Sequence, residues 1–517
     1  MRKPWWPVFS RRGLFQGGVG LAAAQWIGGT VARVASAAPL VLGNAYRSIG
    51  IRPMINAHGT YTIITGSTTL PEVKRAMDEA SRGYVHMDEL MDGVGRRLAE
   101  LTGAEWGIVT AGCSAAITHA TAAAIAGGNP ERIQRLPDLT GLKSEVIVPA
   151  YSRNVYDHAA RMLGVKLVVV HDRAELERAF NERTAMVYIL AGPGDEGPLG
   201  TRVVSEAAKA RAVPVVVDAA AEILTVHPNV HLGRGATAVA YSGGKCIRGP
   251  QAAGLLLGDK ALVQAAWINS APHHGFGRSL KVGKEEIVGM LAAVEVWAKR
   301  DHKAEWAEWE TWLEHIATAV KRVDGVTTKV IQPEGLSNRT PTLQISWDSG
   351  KLGISGNEVH QRLLDTEPRI ILHQPAVNSV GVNPYMMAAG EEKVVAERLY
   401  AILSKSPKME RPDETDAAPE NVAGEWKVQL DFVRGSAAHK LHLVQDGKRL
   451  SGSHRGEFES GELSGTVAGN RLQFRSSYPT LGTRVSYRFS GTVENGKMSG
   501  TVSLDEYGDA RWSAQRV

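Results

Sequence analysis

The sequence predicts an α/β fold with a mostly parallel sheet, followed by a separate antiparallel β module. Between about residues 41 and 405, short β-branched runs alternate with amphipathic helical segments. A run rich in proline and acids follows, and beyond it the chain changes to short strands separated by glycine-containing turns. Strand–helix alternation is typical of a parallel sheet covered on both faces, whereas regular hairpins are typical of barrels and sandwiches.

The N-terminus has the pattern of a twin-arginine export signal. Ser10-Arg11-Arg12-Gly13-Leu14-Phe15 precedes an apolar stretch rich in Gly and Ala, and Ala35-Ser36-Ala37 offers a small-residue cleavage site. We therefore expect residues 1–37 to be a signal peptide read by the twin-arginine export machinery, and the mature protein to be periplasmic or secreted. The alternative is an uncleaved anchor, but the apolar run is short and glycine-rich, so we expect no stable membrane span.

The charge balance argues against a nucleic-acid partner. The whole chain carries a formal net charge of +5, and residues 1–37 contain five basic residues and no acid, so the remainder is neutral. A neutral mature chain lacks the excess of basic residues that binds polyanions. The two cysteines, Cys113 and Cys246, are too few for a disulfide scaffold, and we interpret them as small buried side chains.

The first part of the chain divides into a large and a small domain. We place a large domain at residues 41–300 and a smaller α+β domain at 301–405, with the Trp-rich amphipathic stretch Val288–Val323 between their cores. The sequence also predicts four buried strands with helical segments at 173–181 and 201–212 among them. The strands are Ser144–Pro149, Lys166–His171, Ala185–Leu190 and Pro214–Asp218.

The C-terminal part is predicted to be an independent module. Residues 406–420 carry prolines and acids with almost no apolar residues, which is typical of a linker. Residues 421–517 contain eight short strands with turn signals such as Asp446-Gly447 and Asn495-Gly496, and Ser-Gly-Thr-Val occurs three times. This predicts an antiparallel barrel or sandwich. It carries no catalytic cluster, so we interpret it as a stabilising or docking module, with ligand binding as the alternative.

Two segments of the large domain predict a pyridoxal phosphate (PLP) site. A buried strand ends at Asp218, and the segment Tyr241-Ser-Gly-Gly-Lys245 presents one lysine after a small-residue turn. PLP enzymes hold the cofactor on a lysine as a Schiff base, and a carboxylate keeps the pyridine nitrogen protonated. Either segment alone is ordinary, since Gly-Gly turns and Asp helix caps are common. Together they predict Lys245 and Asp218 as the catalytic pair.

A phosphate site is predicted at the start of an alanine-rich helix. A strand ends at Thr110, Gly112 and Cys113 turn the chain, and the helix begins near Ser114. Backbone N–H groups at a helix N-terminus bind phosphate, and small residues let it approach. Ser242, before the lysine, is a further candidate contact for the phosphate. The alternative is an ordinary helix start.

The loop after the strand that ends at Pro149 is expected to line the ligand crevice, because loops at the carboxyl ends of parallel strands do so. It offers Arg153, Asn154, Tyr156 and His158 for ring contact or acid–base work, and the residues themselves do not decide among them. We assign Asn154 and Tyr156 to the cofactor and Arg153 to the substrate.

Three further arginines are candidates for binding the substrate. Arg248 follows the lysine on a tight turn, Arg278 lies in a Gly-rich loop, and Arg369 lies in the small domain. Arginine grips carboxylates in a bidentate fork. For Arg248 and Arg369 a structural ion pair is an equal alternative. The neighbouring pair His273-His274 lacks a third ligand at useful spacing, so we expect no metal site.

Three motifs resemble the bacterial selenocysteine synthase (L-seryl-tRNA selenium transferase) family. They are Ile55-Asn-Ala-His-Gly-Thr60, Tyr241-Ser-Gly-Gly-Lys-Cys-Ile-Arg-Gly-Pro-Gln251 and Gly277-Arg-Ser-Leu-Lys-Val-Gly-Lys-Glu-Glu-Ile287. The resemblance spans about residues 44–403 and is nearer to the D-glucosaminate-6-phosphate ammonia-lyase-like members, which do not use tRNA. It implies an aspartate aminotransferase-like, fold type I PLP enzyme with Lys245 as the Schiff-base lysine, Asp218 as the pyridinium partner, and a homodimer or higher homo-oligomer.

The chain departs from that family in two respects. The members compared are cytosolic, whereas this chain carries an export pattern, and relatives often have histidine where this chain has Ser152. We therefore expect an exported PLP-dependent lyase acting on a small amino acid or amino sugar acid. The alternatives are a selenium transferase, another PLP reaction (aminotransfer, racemisation or aldol cleavage) and a non-catalytic binding protein with the same fold.

Overall fold

The computed structural model describes residues 45–405 and 418–517. The predicted signal peptide and residues 406–417 of the predicted linker lie outside the described residues. The chain divides into two compact units; the described part of one spans residues 52–405, and the other contains residues 418–517. Within the described ranges, no helix is long and apolar enough to cross a bilayer.

The first unit is built from short strands and longer helices. Its strands are β1 Met54–Ala57, β2 Trp106–Thr110, β3 Glu145–Pro149, β4 Lys166–Val170, β5 Thr184–Leu190, β6 Val215–Asp218, β7 Ala238–Ser242, β8 Gly254–Gly258, β9 Thr327–Ile331, β10 Thr342–Ser346, β11 Arg369–Leu372 and β12 Ser379–Val382.

Helices cover the sheets and connect the strands. The α-helices are α1 Ala45–Ser48, α2 Pro71–Ser81, α3 Met87–Thr102, α4 Cys113–Ala126, α5 Pro130–Arg135, α6 His158–Arg161, α7 Arg173–Ala179, α8 Thr201–Lys209, α9 Val230–Gly233, α10 Lys260–Ile268, α11 Lys284–Trp297, α12 His302–Val320, α13 Ser349–Leu352, α14 Gly356–Asp365 and α15 Glu391–Ser404. Short 3₁₀ turns lie at Thr62–Ile64, Ala150–Ser152, Val155–Asp157, Pro193–Glu196, Pro384–Met386 and Asp505–Tyr507.

The main sheet has seven strands in the order β2-β8-β7-β6-β5-β3-β4. Strands β3 to β7 are parallel, and β8 runs antiparallel to β2 and β7. The predicted mostly parallel sheet is confirmed. Apart from the partly exposed edge strand β4, its strands are buried because helices cover both faces, which explains their unbroken apolar runs. The carboxyl ends of β2, β3, β6 and β7 share one edge of the sheet, and the candidate site is built there.

A second core is formed by buried residues between Leu313 and Leu403. The antiparallel sheet β12-β10-β9 lies in this part of the unit, and β1 pairs in parallel with β11. Ala57 at the end of β1 packs in this second core. The predicted large-domain range of 41–300 therefore includes one strand that pairs with the smaller domain.

The Trp-rich stretch predicted between the two domains is not continuous. Helix α11 ends at Trp297, and α12 begins at His302. Asp301 caps the second helix, since its carboxylate accepts hydrogen bonds from the N–H groups of Lys303 and Ala304. The cap explains why one amphipathic stretch forms two helices.

The C-terminal module is a closed barrel, so the barrel alternative is correct and the sandwich is not. Eight antiparallel strands pair in sequence order, and the last pairs with the first. Buried and exposed residues alternate along the strands, as a filled barrel requires. The strands are β13 Gly424–Asp431, β14 Ser436–Asp446, β15 Arg449–Arg455, β16 Ser460–Ala468, β17 Arg471–Thr480, β18 Thr483–Glu494, β19 Lys497–Ser503 and β20 Asp509–Arg516.

Candidate active site

Lys245 stands on a turn that only small residues can form. A Cβ on Gly243 would lie 2.7 Å from the carbonyl oxygen of Pro250, and one on Gly244 would lie 2.9 Å from Cα of Gln251. The lysine is half-buried, and its Nζ donates a hydrogen bond of 3.2 Å to the carbonyl oxygen of Thr60. Burial lowers the pKa of Lys245. A larger fraction of its amine is therefore neutral, which favours a nucleophile or base.

Asp218 is a buried carboxylate at the end of β6. Its Oδ2 accepts a hydrogen bond of 2.9 Å from the hydroxyl of Tyr188. Its Oδ1 accepts bonds from the N–H of Ala220 at 3.1 Å and from Sγ of Cys113 at 3.5 Å. Burial raises the pKa of Asp218, and these donors oppose the rise.

The environment of Asp218 fits a cationic ring nitrogen. The side chain is 3% exposed, and among residues 45–405 and 418–517 no basic side chain forms an ion pair with it. A buried carboxylate is costly without a positive partner. The protonated pyridine nitrogen of PLP would supply that partner, so the residues present fit the cofactor.

The predicted phosphate site has the geometry of an anion cradle. Strand β2 ends at Thr110, Gly112 has a positive φ of 86°, and α4 begins at Cys113. A Cβ on Gly254 would overlap the carbonyl carbon of Gly112 and lie 2.6 Å from N of Cys113. The first N–H groups of α4 lack acceptors within the helix and point toward its N-terminus. Ser114 is exposed there, whereas the Thr110 hydroxyl donates to the carbonyl of Gly112 at 2.8 Å.

The loop after β3 joins this site through Asn154. The Asn154 side chain donates a hydrogen bond of 3.2 Å to the hydroxyl of Tyr188, which in turn donates to Asp218. Asn154 thus lies in the same hydrogen-bond network as Asp218. Tyr156 is exposed at its position in this loop. Ser152 is buried and accepts a hydrogen bond from the N–H of Leu190.

Arg153 has a structural partner. Its Nε lies 2.6 Å from Asp157, which is fully buried and also pairs with Arg161 at 2.8 Å. His158 contacts Arg161, with 3.3 Å between Nδ1 and Nη2. The guanidinium predicted for the substrate therefore has an ion pair within its own loop.

Two of the other arginines bond to backbone carbonyls. Arg248 donates to the carbonyl oxygen of Thr68 at 3.0 Å and to its hydroxyl at 2.8 Å. Arg369 donates to the carbonyl oxygens of Leu364 at 2.8 Å and of Arg52 at 3.1 Å. Both guanidinium groups thus have hydrogen-bond acceptors within the protein, although neither forms an ion pair with a described carboxylate. Arg278 is exposed, and Ser242 is half-buried beside the lysine turn.

The two cysteines lie in separate environments. Both are buried free thiols. Cys113 contacts Asp218, whereas Sγ of Cys246 lies 3.2 Å from the carbonyl oxygen of Glu222. Burial raises the pKa of both thiols, so both are neutral near neutral pH.

Sequence reasoning missed Tyr188 and a group of histidines near Thr60. His58 follows β1 and His373 follows β11, so both lie at the carboxyl ends of two paired parallel strands. Nδ1 of His58 lies 2.8 Å from the carbonyl oxygen of Leu372, and Nδ1 of His373 lies 2.9 Å from that of His58. Burial lowers the pKa of both imidazoles. Each histidine directly follows a strand, and this position was the signal in the sequence that could have identified them.

Comparisons with known proteins place the first unit in a family. No protein-family model matches the chain. D-glucosaminate-6-phosphate ammonia lyase of Salmonella typhimurium (strain 14028s) is 30% identical over 375 residues, covering 69% of this chain and 98% of that protein. The 5'-C-glycyluridine monooxygenase-decarboxylase of a Streptomyces species is 29% identical over 374 residues, covering 69% of this chain and 92% of that protein.

A solved structure of D-glucosaminate-6-phosphate ammonia-lyase has the same fold. It matches with a TM-score of 0.63 and 28% sequence identity, covering 70% of this chain and 99% of that one. Lys245 follows β7, Asp218 ends β6, and Cys113 at the start of α4 contacts Asp218, so the residues present fit the cofactor. The chain therefore belongs to the D-glucosaminate-6-phosphate ammonia-lyase family of aspartate aminotransferase-like, PLP-dependent enzymes.

Proposed function

We propose that this enzyme is a lyase that eliminates ammonia from an amino sugar acid or a small amino acid, with Lys245 as the residue that carries PLP. The observation that carries the proposal is the buried Asp218 carboxylate, which has three hydrogen-bond donors and no ion-pair partner among the described side chains. The identity of 30% to an ammonia lyase supports the reaction class.

Each residue has a defined task in this proposal. PLP, when bound, supplies an electron sink for the negative charge that develops at the substrate Cα. Lys245, with its lowered pKa, accepts the proton that leaves Cα. Asp218 holds a proton on the ring nitrogen, and Tyr188 fixes the orientation of its carboxylate. The N-terminus of α4 holds the phosphate. The bond from the substrate Cβ to its hydroxyl group then breaks, and the hydroxyl leaves with one proton as water. A second water hydrolyses the product imine to a keto acid and ammonia.

A direct assay tests this proposal. The purified enzyme is incubated with D-glucosaminate, D-glucosaminate 6-phosphate and a panel of D- and L-amino acids, and ammonia and keto acid are measured. We expect one compound class to release both in equal amounts. Lys245→Ala should abolish release and the visible absorbance of bound PLP. The exposed Lys299→Ala variant is the matched control and should retain both.

A second reaction type has a specific observation in its favour. The monooxygenase-decarboxylase relative matches at 29% identity, almost the same as the lyase. The same incubations therefore include measurement of oxygen uptake and carbon dioxide. If carbon dioxide is released only in the presence of oxygen, and ammonia is not released in equal amount, the enzyme is a monooxygenase-decarboxylase and not a lyase. The assignment of PLP as the cofactor would still hold. An enzyme that takes up no PLP would overturn both.

We also propose that the enzyme is exported and works as a homo-oligomer. The twin-arginine pattern at Arg11 and Arg12 supports export. Replacing both with lysine should retain the protein in the cytoplasm, as measured by cell fractionation, while a chain with both arginines appears in the periplasm. Light scattering of the purified enzyme tests the second part, and a monomeric mass at assay concentration would contradict it.

A further inference from the structure

The interior of the C-terminal barrel is divided into an apolar half and a polar half. Near the two-residue turns 447–448, 469–470 and 495–496 it is filled by aliphatic side chains. These are Leu443, Leu450, Val467, Leu472, Val493 and Met498. Near the loops at the other end it contains five buried polar or phenolic side chains in addition to apolar ones such as Leu430 and Leu504. The five are His439, His454, Ser476, Tyr478 and Tyr487.

The polar half forms a hydrogen-bonded network. Nδ1 of His439 lies 2.9 Å from Nε2 of His454, and Nδ1 of His454 lies 3.2 Å from the Ser476 hydroxyl. The Tyr478 hydroxyl donates to that of Tyr487 at 3.2 Å, so the Tyr487 proton is left to donate elsewhere. Burial lowers the pKa of His454 to about 3 and also lowers that of His439. Both imidazoles are therefore neutral near neutral pH.

This network is not completed by the protein itself. His439 is 4% exposed, and within the described ranges its Nε2 has no hydrogen-bond partner but is not fully buried. Burying polar groups costs stability unless their hydrogen bonds are satisfied, and an aliphatic filling like that of the other half would avoid the cost. The polar layer therefore leaves a hydrogen-bonding group of His439 open to a small molecule, which an aliphatic filling would not.

A cavity of about 350 Å³ lies at the polar end of the barrel. Its wall is mostly apolar and includes Phe432, Val485, Leu504 and Tyr507. Tyr487 and the charged side chains of Arg434 and Asp509 also line it. The Tyr487 ring also packs edge-on against both His439 and His454. Tyr487 therefore connects the cavity to the polar network beneath it.

The loops around this end carry exposed apolar side chains. Each of the four hairpin loops has one: Val433 is 78% exposed, Phe458 92%, Leu481 64% and Tyr507 62%. The turns at the opposite end are Gly447-Lys448, Gly469-Asn470 and Asn495-Gly496. Exposed apolar residues that cluster around a cavity mark a binding site, whereas isolated ones need no explanation.

We propose that this end of the barrel binds one small, mainly apolar molecule that carries an uncharged hydrogen-bond acceptor. The apolar part would lie between Phe432 and Leu504, and the acceptor would take the free proton of Tyr487. The cavity lies at the small end of the usual range of ligand sites, about 300–1,000 Å³. Eight-stranded barrels are wide enough to hold one small ligand. This site is independent of the chemistry at Lys245.

The neutral naphthyl ketone prodan tests the proposal in the full-length protein. Its fluorescence shifts to the blue in apolar sites, and its ketone oxygen is the only strong acceptor. We expect saturable binding of one prodan per chain. Leu504→Trp, which fills the cavity, should abolish it. Tyr487→Phe should weaken it roughly 5-fold, since one hydrogen bond is lost while the ring remains.

Two variants make the prodan experiment decisive. Gln473→Trp adds an indole on the outer surface of β17 and should leave binding unchanged. If thermal unfolding shows that Leu504→Trp does not fold, the conservative Tyr487→Phe variant tests the proposal by itself. The proposal is overturned if wild-type protein shows no saturable blue shift, or if binding is the same in the variants of Leu504 and Tyr487 as in wild type.

Discussion

The hydroxyl of Tyr188 donates a 2.9 Å hydrogen bond to Oδ2 of Asp218 across two neighbouring parallel strands. Leu190 is the register partner of Asp218, and Tyr188 lies two residues earlier on the same face of β5. The phenol therefore reaches the carboxylate diagonally, and Asn154 supports it from the adjoining loop. A single tyrosine in an aliphatic strand thus fixes the carboxylate that is assigned to the cofactor nitrogen.

Tyr188→Phe should weaken cofactor binding. The change removes one donor to a buried carboxylate, and the pKa of Asp218 should rise further because that donor lowers it. A hydrogen bond to a charged group contributes roughly 1.5–3 kcal/mol, so the dissociation constant for PLP should rise about 10-fold or more. It is measured by titrating the apoenzyme with PLP. Tyr241→Phe is the matched control, because its buried hydroxyl bonds to Asn229 instead. Equal losses in both variants would contradict the role of Tyr188.

The pH dependence of cofactor uptake should report the lowered pKa of Lys245. Only the neutral amine attacks the aldehyde, so the rate of PLP uptake by the apoenzyme should rise with pH and level off below the ordinary lysine value of 10.5. The Asp218 charge raises the pKa of Lys245, so Asp218→Asn should move the midpoint to lower pH. Stopped-flow absorbance measures both profiles. A midpoint at or above 10.5 in the wild type would argue against burial as the dominant effect.

The lowered pKa of Lys245 also determines how the stability of the folded apoenzyme changes with pH. Because the pKa of Lys245 is lower in the folded apoenzyme than in the unfolded chain, the unfolded state binds more protons between the two values. Stability from this group therefore rises with pH through that window and is lost as pH falls through it. Lys245→Met should flatten that part of the curve of unfolding free energy against pH. An unchanged slope in urea titrations at several pH values would show that Lys245 is not the titrating group.

Asp157 should matter for stability more than surface carboxylates do. It is fully buried and pairs with Arg153 and Arg161, both of which are only partly exposed. Breaking a buried ion pair leaves an uncompensated charge and typically costs about 3–5 kcal/mol. Asp157→Asn should therefore lower the thermal unfolding temperature clearly. Glu177→Gln, which breaks the more exposed pair with Arg211, should change it little. If Asp157→Asn changes the unfolding temperature as little as Glu177→Gln does, the ion pair of Asp157 with Arg153 contributes little. Arg153 would then be available to bind a substrate.

The sequence predicted those parts of the site that depend on local chain geometry. Asp218 is the last residue of β6 and Lys245 follows β7. Because parallel strands end at one edge of a sheet, their proximity follows from topology. The same reasoning predicted a helix start near Ser114, and α4 begins one residue earlier, at Cys113. The β module was also predictable, because two-residue turns and alternating burial are local signals.

Long-range pairings were not predictable from local patterns. Strand β1 pairs with β11 more than 300 residues later, and each is only four residues long. That pairing brings His58 beside His373, which no local pattern links. Tyr188 occupies a buried strand where an aromatic residue is ordinary, and only the neighbouring strand gives its hydroxyl a partner. By contrast, the ion pair of Arg153 with Asp157 joins residues only four positions apart, a spacing that is visible in the sequence. Asp157 lies in a 3₁₀ turn and not in an α-helix.

Gly254→Ala should damage the phosphate cradle directly. The new Cβ would overlap the backbone at Gly112 and Cys113, where α4 begins, so the helix start or β8 must shift. Overpacking of this kind typically costs about 1–3 kcal/mol of stability. It would also displace the backbone N–H groups that would hold the phosphate. We expect a lower unfolding temperature together with faster loss of PLP absorbance during dialysis. Gly233→Ala, at the end of α9, has open space around its Cβ and should affect neither measurement. A Gly254→Ala enzyme that loses stability but retains PLP as firmly as the wild type would place the phosphate away from α4.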